Sequence, residues 1–272
     1  SVILAIIQVR TSSSRLPGKA LLPVLGRPML SWVIERVTLA RTVKRIVVAT
    51  TDEPDDDPIA ALCRREHVEC FRGSRDDVVD RFYQCAARYS PLGVLRITAD
   101  CPLIDPGIID MVVNRFLSTN GELDLVSNDG DTYPDGLDAG IYSFRALERI
   151  FRESTLRSDR EHITPYIWTH PDLFSVEVIP CAQNLSRYRL TVDYQEDFEL
   201  VSKVYEALYP ENPAFAWTEV IRFLDEHPEV FALNSSHTRN EGYRESLKQE
   251  SPQKDELLEG LREEPVDGSF RR

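Results

Sequence analysis

The sequence predicts an α/β protein built on a mostly parallel sheet with helices on both faces. Two observations carry this. Short, continuous apolar runs alternate with amphipathic segments of helical spacing through the first half of the chain. Several of those runs give way at once to polar stretches rich in hydroxyls and charges, at the strand ends where open α/β sheets take ligands. A length of 272 residues, 42% hydrophobic and 28% charged, fits one large α/β domain or two small ones.

Residues 2–9 are apolar throughout and read as a strand buried on both faces. Residues 28–40 carry Met29, Leu30, Val33, Ile34 and Val37 at helical spacing, and 45–50 (RIVVAT) form a second buried strand. A helix over 59–66, a short strand over 68–71 and a helix over 76–88, with Val78, Val79, Phe82 and Ala86 inward, follow. Residues 94–98 (VLRIT) are the next strand and 106–117 the next helix. The second half is less regular. Strands are expected over 124–127, 140–144, 174–179 and 188–192, and helices over 145–153, 160–170, 196–209 and 217–226. Residues 1–245 form the folded part. Residues 246–272 are charged and poor in large apolar groups, and read as a loosely ordered tail with one marginal helix over 255–262.

The formal net charge is −13, which argues against a general nucleic-acid binder, whose phosphate contacts need a basic surface. The distribution says more: the first 50 residues hold eight basic residues against one acid, Glu35. No apolar run approaches the roughly 20 residues of a membrane span, and residues 2–9 lack the basic flank of a signal peptide. The five cysteines show no CxxC and no zinc spacing, so reduced thiols and a soluble, cytoplasmic protein without membrane partners are expected.

Three segments carry chemistry. The loop after the first strand, Gln8 to Lys19 (QVRTSSSRLPGK), sets hydroxyls, three cations and a glycine just past the carboxyl end of a buried strand. Backbone N–H groups, hydroxyl donors and positive charge together suit a polyphosphate. The loop is not a GxxxxGK[ST] phosphate loop, because Ser13 stands where glycine is needed and Ala20 where a hydroxyl is needed. No two glycines of the chain lie two apart, so no dinucleotide fingerprint exists either. Next, RITADCPLID places Asp100 directly after a strand, where a carboxylate can hold magnesium. Asp105, before Pro106, fits a helix N-cap instead. Last, LTVDYQED puts Asp193 at another strand end, either as a second metal ligand or as the cap of the helix over 196–209.

These segments, with FRGSRDDVVDRFYQ, SND followed by YPDGLD, and SDREHITPYI, resemble the cytidylyltransferases of the spore coat polysaccharide biosynthesis protein F type, relatives of the CMP-Kdo and CMP-sialate synthetases. The resemblance runs in collinear order over about residues 2–245. It implies a Rossmann-like nucleotidyltransferase fold that uses CTP and Mg²⁺, releases pyrophosphate and makes a CMP-sugar, typically an acidic one, often as a homodimer. Carried over by position, Arg10, Ser12, Ser13, Arg15 and Lys19 would hold the triphosphate, with Gln8, Thr98, Ala99 and Asp100 beside the nucleotide. Asp100 and Asp193 would hold the metal, and Arg10, Arg15, Lys19 and Asp100 would act in catalysis. Ser74, Asp77 and Arg81 would line the nucleoside or sugar side. Asp138, Arg160, Glu161 and His162 would face the acceptor, although a histidine on a helix is also commonly just half-buried. One departure stands out: two positions after Asp138 the family usually carries an acid, and this chain has Gly140. The rival readings are a glycosyltransferase, for which Asp129-Gly-Asp131 offers a DxD in a turn-rich loop, a phosphonate cytidylyltransferase, and a degenerate nucleotide-binding module.

Overall fold

The apolar runs become the central strands of the computed structural model, which describes residues 2–249. Its elements in order are β1 (Ile3–Gln8), a small hairpin of β2 (Pro23–Val24) and β3 (Arg27–Pro28), α1 (Met29–Thr38), β4 (Arg45–Thr51), α2 (Asp57–Arg65) and β5 (Glu69–Gly73). Next come α3 (Val78–Ala87), β6 (Gly93–Thr98), α4 (Pro106–Ser118), β7 (Leu125–Ser127), β8 (Gly140–Ser143) and α5 (Phe144–Glu153). The rest is α6 (Arg157–His162), α7 (Thr164–Thr169), β9 (Val176–Val178), α8 (Gln195–Leu208), α9 (Trp217–Glu226), α10 (Pro228–Phe231) and α11 (Glu241–Lys248).

The main sheet has seven strands in the order β5-β4-β1-β6-β8-β7-β9, and β8 alone runs antiparallel to its neighbours. β1 pairs with β4 on one side and β6 on the other, so the chain reverses its direction of winding there. That reversal opens a crevice at the carboxyl ends of β1 and β6. β1 alternates its apolar side chains between two cores. Ile3, Ala5 and Ile7 face the layer of α1, α4, α8 and α9, while Leu4 and Ile6 face the layer of α3, α5 and α7. The mostly parallel α/β fold read from the sequence is the one observed.

Two expected elements differ. The helix expected over 160–170 is two helices, broken at Ile163, which takes a left-handed φ of 63°. Pro165 accounts for the break: in a continuous helix its ring would strike the carbonyl four residues back and its missing N–H would leave a bond unmade. The strand expected over 188–192 is absent as a ladder strand and makes only an isolated bridge between Arg189 and Asp135. Its N–H groups are divided instead. Leu190 donates to the Asp135 carbonyl (2.7 Å) and Val192 to the Asp100 carbonyl (2.8 Å), so the segment ties two loops together. The hairpin β2–β3, α10 and α11 have no counterpart in the sequence reading. The boundary expected between residues 245 and 246 falls inside α11, whose Leu247 is buried. The expected helix over 255–262 lies outside the described residues. No helix among the described residues is long and apolar enough to cross a membrane.

One buried ion pair locks the helical layer below the crevice. Asp105 caps α4 as expected, accepting from the Ile108 N–H (3.0 Å), and its other oxygen accepts from the Trp217 N–H (2.9 Å). Arg36, 1% exposed, stands 3.6 Å from Asp105 and donates to the carbonyls of Ile104 (2.6 Å) and Phe215 (3.1 Å). Removing one member of such a buried pair strands the other. Arg36→Ala is therefore expected to lower unfolding free energy by about 3–5 kcal/mol, read from denaturant unfolding; a change below ~1 kcal/mol would show that water replaces the guanidinium without loss.

Candidate active site

A cavity of about 820 Å³ opens at the carboxyl ends of β1 and β6. Its floor begins where the strands stop. The Ala99 N–H still bonds the Gln8 carbonyl (3.0 Å), after which the two chains diverge into loops. The loop over 9–18 folds on itself through Gly18, whose φ of 67° suits glycine and whose N–H reaches the Thr11 carbonyl (3.1 Å). The loop is tethered to Asp56, which accepts from both the N–H (2.7 Å) and the hydroxyl (2.8 Å) of Thr11 and from the Thr51 hydroxyl. Burial would raise the Asp56 carboxyl, but these donors outweigh it and hold it below the usual carboxylate range.

The loop delivers Lys19 to the two carboxylates singled out in the sequence. Its Nζ lies 3.0 Å from Asp193 and 3.9 Å from Asp100, and donates to the Val192 carbonyl (2.8 Å). Asp193 is also 3.8 Å from Arg15 and 3.2 Å from Arg189. Burial works against its charge, yet Lys19, then Arg15 and Arg189, keep the carboxyl below the ordinary range. Asp193 is not the helix cap. That work falls to fully buried Asp197, which accepts from the N–H groups of Asp193 and Tyr194 (2.9 Å each) and is gripped by Arg189 at 2.9 and 3.1 Å.

A third wall comes from the DGLD turn. Gly136, at φ 102°, passes so close to the segment before Asp193 that an added Cβ would sit 2.4 Å from the Thr191 nitrogen. Only glycine permits that approach, and it brings Asp135 and Asp138 to the cavity. Burial, with Asp129 and Asp135 nearby, pushes the Asp138 carboxyl well above its ordinary value against the pull of Arg239, which bonds it at 3.0 Å. The fourth wall is α6 with α11. His162 shares a hydrogen bond with Ser246 (2.8 Å), Ser246 donates to Glu161 (3.1 Å), and Tyr243 stands edge-on to the imidazole.

Most of the residues expected at the site meet in this cavity. Gln8, Arg10, Ser12, Ser13, Arg15 and Lys19 line it from the first loop. Thr98, Ala99 and Asp100 line it from β6, and Asp138, Glu161, His162 and Asp193 from the later walls. Four others do not. Arg81 is 1% exposed and gives its guanidinium to the carbonyls of Ser74 (3.0 Å) and Arg75 (3.3 Å). The Ser74 hydroxyl accepts from the Asp77 N–H (3.1 Å), and Asp77 caps α3 through the Asp80 N–H (2.8 Å). Arg160 chelates Asp77 at 3.0 and 2.7 Å. The four form an internal latch between α3 and α6 through these bonds, although the buried Arg81 Nη1 has no hydrogen-bond partner. Their neighbours Arg75 and Val78 line the cavity instead. Sequence reasoning missed Asp56, Arg189, Arg239 and Glu241. Asp197, four residues after Asp193, was the one readable sign of the Arg189 cluster.

Asp100 and Asp193 suit a divalent ion that arrives with phosphate. Magnesium is commonly held by one or two carboxylates plus substrate phosphates rather than by an all-protein cage. Among the described residues no cluster of three or more His, Cys, Asp or Glu side chains could hold an ion alone. Arg15 Nη1, buried and without a hydrogen-bond partner, is a donor such a phosphate would satisfy.

A switch-point cavity with a cationic loop facing two aspartates, on a sheet of this order, defines a nucleotidyltransferase. The chain belongs to the cytidylyltransferase family, which it matches over residues 4–236. It is 37% identical over 245 residues to an uncharacterized protein of Methanocaldococcus jannaschii, an alignment covering 89% of this chain and 98% of that one. It is 31% identical to the spore coat polysaccharide biosynthesis protein SpsF of Bacillus subtilis, over 84% of this chain and 96% of that protein. Among solved structures it superimposes on a cytidylyltransferase from Leptospira borgpetersenii with a TM-score of 0.80 and 30% identity, covering 87% of this chain and 97% of that one.

Burial lowers the His162 imidazole to about 4, with Arg96 and Arg10 adding to the shift and Glu161 opposing it. An unfolded histidine titrates near roughly 6.5, so on acidification the unfolded chain takes up this proton first. Stability from a neutral His162 is present above about pH 6.5 and lost as pH falls toward 4. Melting temperature followed over that range should fall more steeply for the wild type than for His162→Gln. Parallel curves would mean that the folded imidazole is charged at the pH of an ordinary histidine.

Proposed function

We propose that the protein transfers CMP from CTP to an acidic sugar, such as a nonulosonic or Kdo-like acid, releasing pyrophosphate in polysaccharide or glycoconjugate biosynthesis in the cytoplasm. The observation that carries this is Lys19, which reaches from the loop after β1 to both Asp100 and Asp193 inside one cavity. Family membership supports cytidylyl transfer, and the relation to SpsF supports a polysaccharide context.

In this reading the acceptor oxygen attacks the α-phosphorus of CTP in line. The new bond joins that oxygen to phosphorus, the α–β bridging bond breaks, pyrophosphate leaves, and the acceptor's proton passes to solvent. Arg10, Arg15 and Lys19, with Ser12 and Ser13, orient the phosphates and offset the charge that gathers on the leaving group. Mg²⁺, held by Asp100 and Asp193, would neutralise phosphate oxygens. Gln8, Thr98 and Ala99 border the nucleotide, and Asp138, Glu161 and His162 form the acceptor wall. Catalysis here is positioning and electrostatics, with no covalent intermediate on the protein.

Asp100→Asn and Asp193→Asn should each lower pyrophosphate release by at least ~100-fold with little change in melting temperature. The two losses should not add, since both disable one ion. Near-normal turnover of Asp193→Asn at saturating Mg²⁺ would remove that carboxylate from the metal. A calorimetric titration with CTP, UTP, ATP and GTP should give the tightest binding for CTP; equal or tighter UTP or ATP binding would defeat the base assignment.

A further inference from the structure

Six cations line the cavity, Arg10, Arg15, Lys19, Arg75, Arg96 and Arg157, and they differ in how their charge is met. Arg15, Lys19 and Arg75 each stand within 4 Å of a carboxylate. Arg96, on β6, does not. Its Nε and Nη2 donate to the Gln8 side-chain oxygen (3.3 and 3.1 Å) and its Nη1 to the His162 carbonyl (3.1 Å), and among the described residues it makes no salt bridge. A half-buried guanidinium held only by neutral oxygens is rigidly aimed and electrostatically unspent.

The reason lies in the strand register. Arg96 is directly opposite Gly140 across the antiparallel β6–β8 pair, so both residues address the same face of the sheet. A side chain at 140 would stand about 5 Å from that of Arg96. Position 140 has none, although it would admit one: an added Cβ would meet nothing nearer than the Leu125 side chain at 3.6 Å. In its place is a pocket of about 60 Å³ bordered by Arg96, Gly140, Tyr142 and Thr164, while Arg96 also faces the main cavity. The two carboxylates at the pocket's far side, Asp129 and Asp138, are already paired with Arg239 (3.7 and 3.0 Å).

We propose that Arg96 binds the acidic group of the acceptor, a carboxylate or a phosphonate, and that the empty position 140 keeps its charge available for that group. This rests on the cytidylyl-transfer reading and names the residue that would select the acceptor. It makes Arg96 a specificity determinant, distinct from the residues that hold the triphosphate.

The test measures pyrophosphate release with 3-deoxy-manno-octulosonate and N-acetylneuraminate against their methyl esters, and with 2-hydroxyethylphosphonate against its neutral dimethyl ester, at saturating CTP and Mg²⁺. The wild type should prefer an acid to its ester by about 10- to 100-fold in kcat/KM, the worth of a charge-assisted hydrogen bond. The acid used tells carboxylate from phosphonate. Arg96→Gln and Gly140→Glu should each erase that preference through KM, with kcat within a few-fold. Gly140→Glu does so with Arg96 still in place, and it should bind CTP as the wild type does in calorimetry. Gly140→Ala should behave like the wild type, and Arg96→Lys should regain part of the preference. Equal losses for acid and ester in Gly140→Glu would overturn the assignment. So would a wild type that binds CTP yet uses none of the acids. A wild type that fails to bind CTP overturns the parent reading, and this inference with it.

Discussion

The site depends on where one ammonium group goes. Lys19 is carried on the first loop, yet its charge is met by Asp193, 174 residues later, and by Asp100 between them. Without it the two carboxylates would face each other across a partly desolvated cavity, where repulsion is far stronger than in water. With it, three segments far apart in sequence share one electrostatic minimum. The supports around it serve the same end. Asp56 fixes the base of the loop, Asp197 and Arg189 fix the turn that bears Asp193, and Gly136 lets the DGLD turn close against both.

The cavity is consequently lined by many charges of both signs. One end gathers Asp100, Asp135, Asp138 and Asp193, interleaved with Lys19, Arg189 and Arg239. Arg10, Arg75, Arg96 and Arg157 line the cavity as well, with Glu161 beside the neutral imidazole of His162. Burying His162 neutral among arginines avoids adding a further positive charge where the field is already strong.

Sequence patterning shows the first half of the fold clearly because its strands are buried on both faces and its helices on one, which leaves unbroken runs beside periodic ones. RIVVAT and VLRIT need no tertiary information to be read as strands. Residues 188–192 look equally strand-like but fold as a tie between two loops, since the pattern reports burial and not the identity of the hydrogen-bond partner. Asp100, Asp193 and the 8–19 loop were legible because each follows an apolar run. Ser74, Asp77, Arg81 and Arg160 lie off the cavity, which the sequence could not show for a physical reason: a motif cannot tell a polar group aimed at a ligand from one that ties two helices together. Asp56 and Arg239 were invisible, since nothing local marks a residue whose function is to hold a distant loop.

The match to the family ends at residue 236, whereas α11 begins at Glu241 and still supplies Glu241, Tyr243 and Ser246 to the cavity wall. Part of the cavity wall thus comes from chain beyond the matched stretch, while the floor lies within it. The floor is bound into the sheet and both cores through β1 and β6. That wall is held by buried Leu247 and by the contacts of Glu241 with Tyr194 and Arg15 and of Ser246 with His162 and Glu161. Because Glu241 meets both Tyr194 and Arg15, a substitution in the carboxyl-terminal helix would reach the first loop as well as the wall that the helix itself forms.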